Sequence, residues 1–281
     1  MGKRWKQVGL AVLNLVTIVL VIAGLQPVLR KHWPSAGAAM LGLVCFGTYV
    51  AASNWIERRN PTELATGRAF PELFAGIAFG AFLFSAVMIV LWMAGIYRVG
   101  GWGTTSHLAS GFFFAVGAGI MEEILFRGLL FRLSSKIVGT WGALVFTAAL
   151  FGLAHLGNPG ATLGSSLAIA LEAGVLLGAA YAATQRLWLP IGLHIGWNFT
   201  EGSIFGMSVS GNDVGSGLRQ GSLSGRPILT GGPFGPEASI VAVILCAGVA
   251  LFFLGRTVKR QRVEPPIWSH ARVQPESIET L

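Results

Sequence analysis

Long apolar stretches separated by short polar segments run along most of the chain. They predict eight membrane-spanning helices, at roughly residues 8–29, 36–55, 71–97, 107–134, 139–156, 161–185, 187–207 and 238–255. Each stretch is close to the ~20 residues that a helix needs to cross the hydrocarbon core. A lipid-exposed backbone must satisfy its hydrogen bonds internally, and the stretches lack the alternation of a membrane barrel. The predicted fold class is therefore all-α, a polytopic membrane helix bundle.

Composition excludes a water-soluble protein. The chain is 53% hydrophobic and only 11% charged, with a mean hydropathy of +0.66, whereas soluble domains carry about 25% charged residues. The net charge of +8 comes from basic residues at the ends of the apolar stretches, where they meet lipid headgroups. We therefore expect the lipid bilayer as a partner, and no nucleic acid. Cys45 and Cys246 lie inside apolar stretches and are expected to pack as small apolar side chains.

The chain divides into a transmembrane bundle, residues 1–256, and a polar tail, residues 257–281, which we expect to be disordered. Residues 208–237 are rich in Gly, Ser and Pro and predict a flexible extracytoplasmic loop.

The distribution of Lys and Arg predicts the orientation in the membrane. Fourteen of them fall on the side that holds the N-terminus, and Arg127 lies within a span. The other side holds five: Arg30, Lys31, Arg98, Arg219 and Arg226. Both termini are therefore expected in the cytoplasm. Compact loops and the lack of an organelle-retention signal favour the inner (plasma) membrane of a bacterium.

Ionisable side chains within membrane spans are costly, and they indicate function by default. The relevant polar residues are Glu122, Glu123, Arg127, His155, Glu172, His194, Asn198 and Glu201. The four-residue spacing of Glu123 and Arg127 predicts a supporting ion pair. Glu122 points about 100° away around the helix and is expected to face a cavity.

Depth along the helices brings four of these groups together. Counting 1.5 Å per residue from the nearest turn places Glu122, His155, His194 and Asn198 around the middle of the membrane. A desolvated carboxylate can act as a general base, with His194 and Asn198 donating to an oxyanion. Alternatively, Glu122, His155 and His194 can bind a catalytic Zn²⁺. Both chemistries predict hydrolysis, and the spacing leaves the choice between them open.

Three motifs then carry a family resemblance. Glu122–Arg127 matches E-E-x-x-x-R, Phe151–His155 matches F-x-x-x-H, and His194–Asn198 matches H-x-x-x-N. In this order, over about residues 107–205, they resemble the CPBP family of intramembrane proteases, which includes type II CAAX prenyl endopeptidases and Abi proteins.

The resemblance implies an intramembrane endopeptidase acting on a peptide or a membrane-protein substrate. Glu122 and His155 would activate water, and His194 and Asn198 would form the oxyanion pocket. Glu123 and Arg127 would support the site. The family is described both as glutamate-type and as metalloprotease, so zinc stays an open cofactor.

Two alternatives accompany the protease hypothesis. A binding or bacteriocin self-immunity membrane protein would keep the polar site without cleaving. A transporter is disfavoured because the chain lacks an internal repeat, and the lack of H-E-x-x-H excludes the standard zincin site. Glu172 and Glu201 match no motif and are expected to have supporting roles.

Overall fold

The computed structural model describes residues 2–215 and 217–272. Over these residues the α-helices are α1 (Gly2–His32), α2 (Gly37–Trp55), α3 (Ala69–Met93), α4 (Leu108–Glu123), α5 (Arg132–Ala154), α6 (Leu163–Ile169), α7 (Val175–Thr184), α8 (Trp188–Phe199), α9 (Pro227–Thr230) and α10 (Ile240–Lys259). The strands are β1 (Tyr97–Trp102) and β2 (Arg219–Leu223). π-Helical segments extend three of the helices, at Ile124–Phe131, Ala170–Gly174 and Thr200–Ile204. Short 3₁₀ turns lie at Thr62–Leu64, Thr66–Arg68, His155–Gly157, Gly232–Phe234, Pro236–Ala238 and Ile267–Arg272.

The predicted all-α membrane bundle is confirmed. Helices make up 76% of the described residues, and six helical stretches among them are long and apolar enough to cross a membrane. One of them, Leu108–Gly157, has 50 residues and would measure about 75 Å if straight, against a hydrocarbon core of about 30 Å. It instead turns back at Gly139, whose φ of 75° and ψ of 174° break the helix. This turn separates α4 from the rest of α5, as the two predicted spans require.

Glycines bring α3 and α8 into backbone contact. An added Cβ at Gly76 would lie 2.5 Å from the Leu189 carbonyl oxygen, and one at Gly80 would overlap that of Leu193. Gly192 and Gly196 on α8 have the same relation to backbone atoms of α3. Small residues four apart let two helices approach closely, so the G-x-x-x-G spacing on α3 acts as expected. The polar residues of α8, His194 and Asn198, lie away from this contact.

One end of the bundle, called here the cavity end, holds the connections over residues 33–36, 94–107, 155–162 and 205–239. There β1 and β2 pair antiparallel, with Arg98 opposite Ser222. The Asn158 side chain donates to the carbonyl oxygen of Ser210 at 2.9 Å, and the Gly211 amide donates to that of Phe234 at 2.6 Å. The segment predicted as a flexible loop, residues 208–237, thus packs over the cavity end, with Ser216 outside the described residues.

The opposite end holds residues 56–68, the turn at Gly139, residues 185–187 and the chain beyond α10. Residues 257–272 of the predicted polar tail are described by the structure at this end. The Thr140 amide donates to the Glu264 carbonyl at 2.9 Å, the Glu264 amide donates to Thr140 Oγ1 at 2.8 Å, and the Arg262 guanidinium donates to the Ala183 carbonyl. These bonds tie the first part of the tail to the bundle, while residues 273–281 lie outside the described residues.

Candidate active site

Three elements place the predicted site residues. Glu122 is near the end of α4, His155 directly follows α5, and His194 lies on α8 with Asn198 one turn beyond it. The Oε2 atom of Glu122 is 4.0 Å from His155 Nε2 and 4.0 Å from His194 Nε2. Asn198 lines the same cavity. The structure therefore brings together the four residues that the depth estimate predicted to meet.

Wide helical turns coincide with the buried glutamates. The segment Ile124–Phe131 starts directly after Glu123, and the other two π-helical segments contain Glu172 and Glu201. π-Helical turns are rare and are found mostly at functional sites. Each one re-aims the side chains that follow it, so these insertions set the direction of the residues around the cavity.

The hydrogen bonds of the two histidines define which nitrogen carries a proton. His155 Nδ1 lies 2.7 Å from the carbonyl oxygen of Phe151, which only accepts hydrogen bonds. His194 Nδ1 lies 3.0 Å from Oε1 of Glu123, also an acceptor when ionised. Both Nδ1 atoms therefore donate, and in the neutral imidazoles both Nε2 atoms present a lone pair towards Glu122.

Three acceptors consequently face one another in a small space. Glu122 Oε2 is buried and has no hydrogen-bond partner among the described protein atoms. Buried acceptors need a donor, and a water molecule about 2.8 Å from two of these atoms would fit their 4.0 Å separations. The geometry thus defines a position for a water molecule beside Glu122 and His155.

The same three atoms were predicted as a metal site. Two ligands of one tetrahedral zinc ion lie about 3.4 Å apart, given bond lengths of about 2.1 Å. The observed separations of 4.0 Å are wider. Over residues 2–215 and 217–272, no group of three or more His, Cys, Asp or Glu side chains is arranged to hold a metal ion. The donor types suit zinc but their spacing does not.

Glu123 and Arg127 form the ion pair that their spacing predicts, with Oε1 and Nη1 2.7 Å apart and side chains 0% and 1% exposed. Arg127 Nη2 also donates to the carbonyl oxygens of Ala173 and Gly174, each at 3.1 Å. The same Glu123 oxygen also accepts from His194, and the sequence analysis did not predict this contact. The similar depths of Glu123 and His194 in the membrane could have indicated it. Glu123 therefore joins the ion pair to the site.

A second group of buried carboxyls lies beside the first. Glu172, Glu201 and Glu237 are at most 2% exposed, and Glu172 Oε1 accepts from Cys246 Sγ at 3.6 Å. Glu172 and Glu237 line the same cavity as Glu122. Burial raises the pKa of the Glu237 carboxyl, which lies outside the spans. Glu237 was missed in the sequence because its loop has no helical periodicity; its position directly before the last apolar stretch was the only signal.

Two spaces reach the site and share lining residues, among them Glu122 and His155. A cavity of about 50 Å³ lies between Glu122, His155, His194 and Asn198. A larger groove of about 820 Å³ runs from the α1–α2 connection along α4 and also reaches Glu122 and His155. The small cavity has room for water, and the groove has room for several side chains of a bound peptide.

Residues 102–200 of the 281-residue chain match the family model described as type II CAAX prenyl endopeptidase Rce1-like. The match contains all three motifs and confirms the resemblance to the CPBP family. It supports an intramembrane endopeptidase of the CAAX type at the level of the family. No curated protein and no solved structure shows a significant similarity to this chain.

Proposed function

We propose that this multi-pass membrane protein is an endopeptidase that hydrolyses a peptide bond of a peptide or membrane-protein substrate within the bilayer. The observation that carries the proposal is the meeting of Glu122 Oε2 with two imidazole Nε2 atoms, each 4.0 Å away, at the end of a groove large enough for a peptide. The protein is proposed to reside in a bacterial plasma membrane.

The nucleophile is a water molecule held between Glu122 and His155. The Glu122 carboxylate takes a proton from it, and the water oxygen bonds to the scissile carbonyl carbon. The proton then passes from Glu122 to the amide nitrogen as the C–N bond breaks, which releases an amine and a carboxylic acid. The acid then loses its own proton to the solvent. His155 holds the water through Nε2, because its Nδ1 is fixed on the Phe151 carbonyl.

The oxyanion forms on the side of α8. The Asn198 amide can donate to it directly. His194 can donate through Nε2 only as an imidazolium, and the Glu123 carboxylate on its Nδ1 stabilises that cation. The positive charge of Arg127 balances the negative charge of Glu123 in turn. Glu123 and Arg127 therefore act through His194 and are positioning residues.

Cleavage of a quenched fluorescent peptide by the purified protein in detergent tests the proposal. Glu122→Gln keeps the size of the side chain but removes the base, and we expect a loss of cleavage of at least ~100-fold, the lower range for a general base. Glu264→Gln is the matched control, because Glu264 is exposed at the opposite end, and it should cleave like wild type.

The assay uses a broad peptide library, with and without a prenylated CAAX sequence. A single unsuitable peptide is then not mistaken for a lack of activity. If the folded wild type cleaves no peptide in the library, the endopeptidase proposal fails. The binding or self-immunity function then becomes the better explanation, and protection by the Glu122→Gln variant would support it.

A further inference from the structure

The cavity and the groove open towards one end of the bundle only. Their lining includes Asn158, Ser210, Asn212 and Glu237 from connections at the cavity end. The groove adds Arg30, Trp33, Pro34, His107, Asp213 and Gly215 from the same end. None of the residues that line either space belongs to the connections at the opposite end, within the described part of the chain.

Partly buried ion pairs link the segments at the opposite end. Glu57 accepts hydrogen bonds from Asn14 at 2.6 Å, Arg132 at 2.8 Å and Arg59 at 2.9 Å. Arg59 also pairs with Glu63 at 2.8 Å. This network joins α1, the α2–α3 connection and the start of α5 at the end that neither space reaches.

Basic residues distinguish the two ends. Of the twenty Lys and Arg residues, five lie at the cavity end and fourteen at the opposite end, with Arg127 inside the bundle. Positively charged connections stay in the cytoplasm during membrane insertion. The end with fourteen basic residues is therefore the cytoplasmic one.

We propose that the active-site cavity opens to the extracytoplasmic side, and that the substrate is an apolar polypeptide segment presented from that side. The inference rests on the proposed endopeptidase function. The groove that leads to Glu122 is lined by Leu29, Leu41, Met121, Leu125 and Phe126, which suit apolar side chains. A segment anchored in or emerging from the outer leaflet reaches this groove laterally, whereas a cytoplasmic protein tail meets the closed end.

Cysteine labelling tests the orientation without requiring activity. Ser224→Cys places a thiol at the cavity end and Thr66→Cys places one at the opposite end, both at exposed positions. The native Cys45 and Cys246 are buried, so the wild type supplies the background. In intact spheroplasts, a membrane-impermeant maleimide should label the Ser224→Cys variant. It should label the Thr66→Cys variant only after the spheroplasts have been permeabilised. The reverse pattern would overturn the inference even if the protein were inactive.

Sided cleavage tests the substrate. A quenched apolar peptide carrying an impermeant polar tag is offered to spheroplasts and to inverted membrane vesicles. The same preparations of the Glu122→Gln variant serve as the inactive control. We expect cleavage by spheroplasts and its loss in inverted vesicles until detergent is added. Cleavage by sealed inverted vesicles but not by spheroplasts would refute the extracytoplasmic opening while leaving the endopeptidase intact. Absence of cleavage even in detergent refutes the endopeptidase instead.

Discussion

Glu123 is expected to have two separable roles, one in stability and one in catalysis. A single oxygen, Oε1, accepts from Arg127 Nη1 at 2.7 Å and from His194 Nδ1 at 3.0 Å. Glu123→Gln keeps the shape of the side chain but removes its charge. The change leaves the Arg127 guanidinium, which is 1% exposed, facing a neutral amide in place of the carboxylate, beside its two backbone carbonyl partners.

The expected cost follows from this burial. Breaking a buried ion pair by removing one partner costs about 3–5 kcal/mol, and we expect the lower end because the amide oxygen of Gln can still accept from Arg127. Removing the hydrogen-bond partner of a metal-bound histidine costs about 10- to 100-fold in activity, and we expect a similar loss when His194 loses the carboxylate of Glu123. Glu123→Gln should therefore unfold more easily and also cleave 10- to 100-fold more slowly while folded.

A double variant separates the two roles. Glu123→Met with Arg127→Met removes both buried charges, and such replacements are often neutral for stability. We expect unfolding in detergent, followed by loss of the monodisperse peak on heating, to return close to wild type. Cleavage of the quenched peptide should stay low, because His194 Nδ1 still lacks its acceptor. Recovery of activity together with stability would show that Glu123 acts only through the ion pair and would refute the reasoning.

Three further predictions concern packing, pH and metal. Gly80→Leu should destabilise the α3–α8 contact by at least ~1–3 kcal/mol, measured by thermal unfolding, whereas Gly248→Leu on the open face of α10 should not. Burial alone raises the pKa of Glu57, but the charges and hydrogen bonds of Arg132 and Arg59 lower it on balance. The Glu57 carboxylate therefore stabilises the folded protein fully above its unfolded pKa of about 4.3, and this stabilisation declines as the pH falls below that value. Glu57→Gln should make the free energy of unfolding depend less on pH in this range. Cleavage should survive a strong zinc chelator, with metal analysis showing less than one zinc per chain; inhibition reversed by added zinc would contradict the water mechanism.

Much of the site could be predicted because helices are regular. Residue spacing alone indicated that Glu123 pairs with Arg127, and depth along the helices indicated that Glu122, His155 and His194 meet. Both estimates need only a fixed rise and rotation per residue. The π-helical segment Ile124–Phe131 departs from these values, yet Arg127 still reaches Glu123 and Glu122 still meets the two histidines.

The remaining features depend on backbone geometry that residue type does not specify. The loop that carries Glu237 is rich in Gly and Pro, and its path is determined by contacts such as the bond between Gly211 and Phe234. The bonds that Glu264 makes to Thr140 are formed by the backbone groups of Glu264. Side-chain patterns carry no information about such bonds.

The π-helical segments show why the site is more connected than the motifs alone indicate. A π-helical turn bonds residue i to i+5 and inserts a residue into the helix, which costs regular hydrogen bonding unless the surroundings compensate. Here Arg127 lies inside the first π segment and donates to the carbonyls of Ala173 and Gly174 in the second. One buried cation therefore joins two widened turns, and its partner Glu123 holds His194. The E-E-x-x-x-R motif consequently determines the shape of the cavity wall as well as the position of the Glu122 carboxylate.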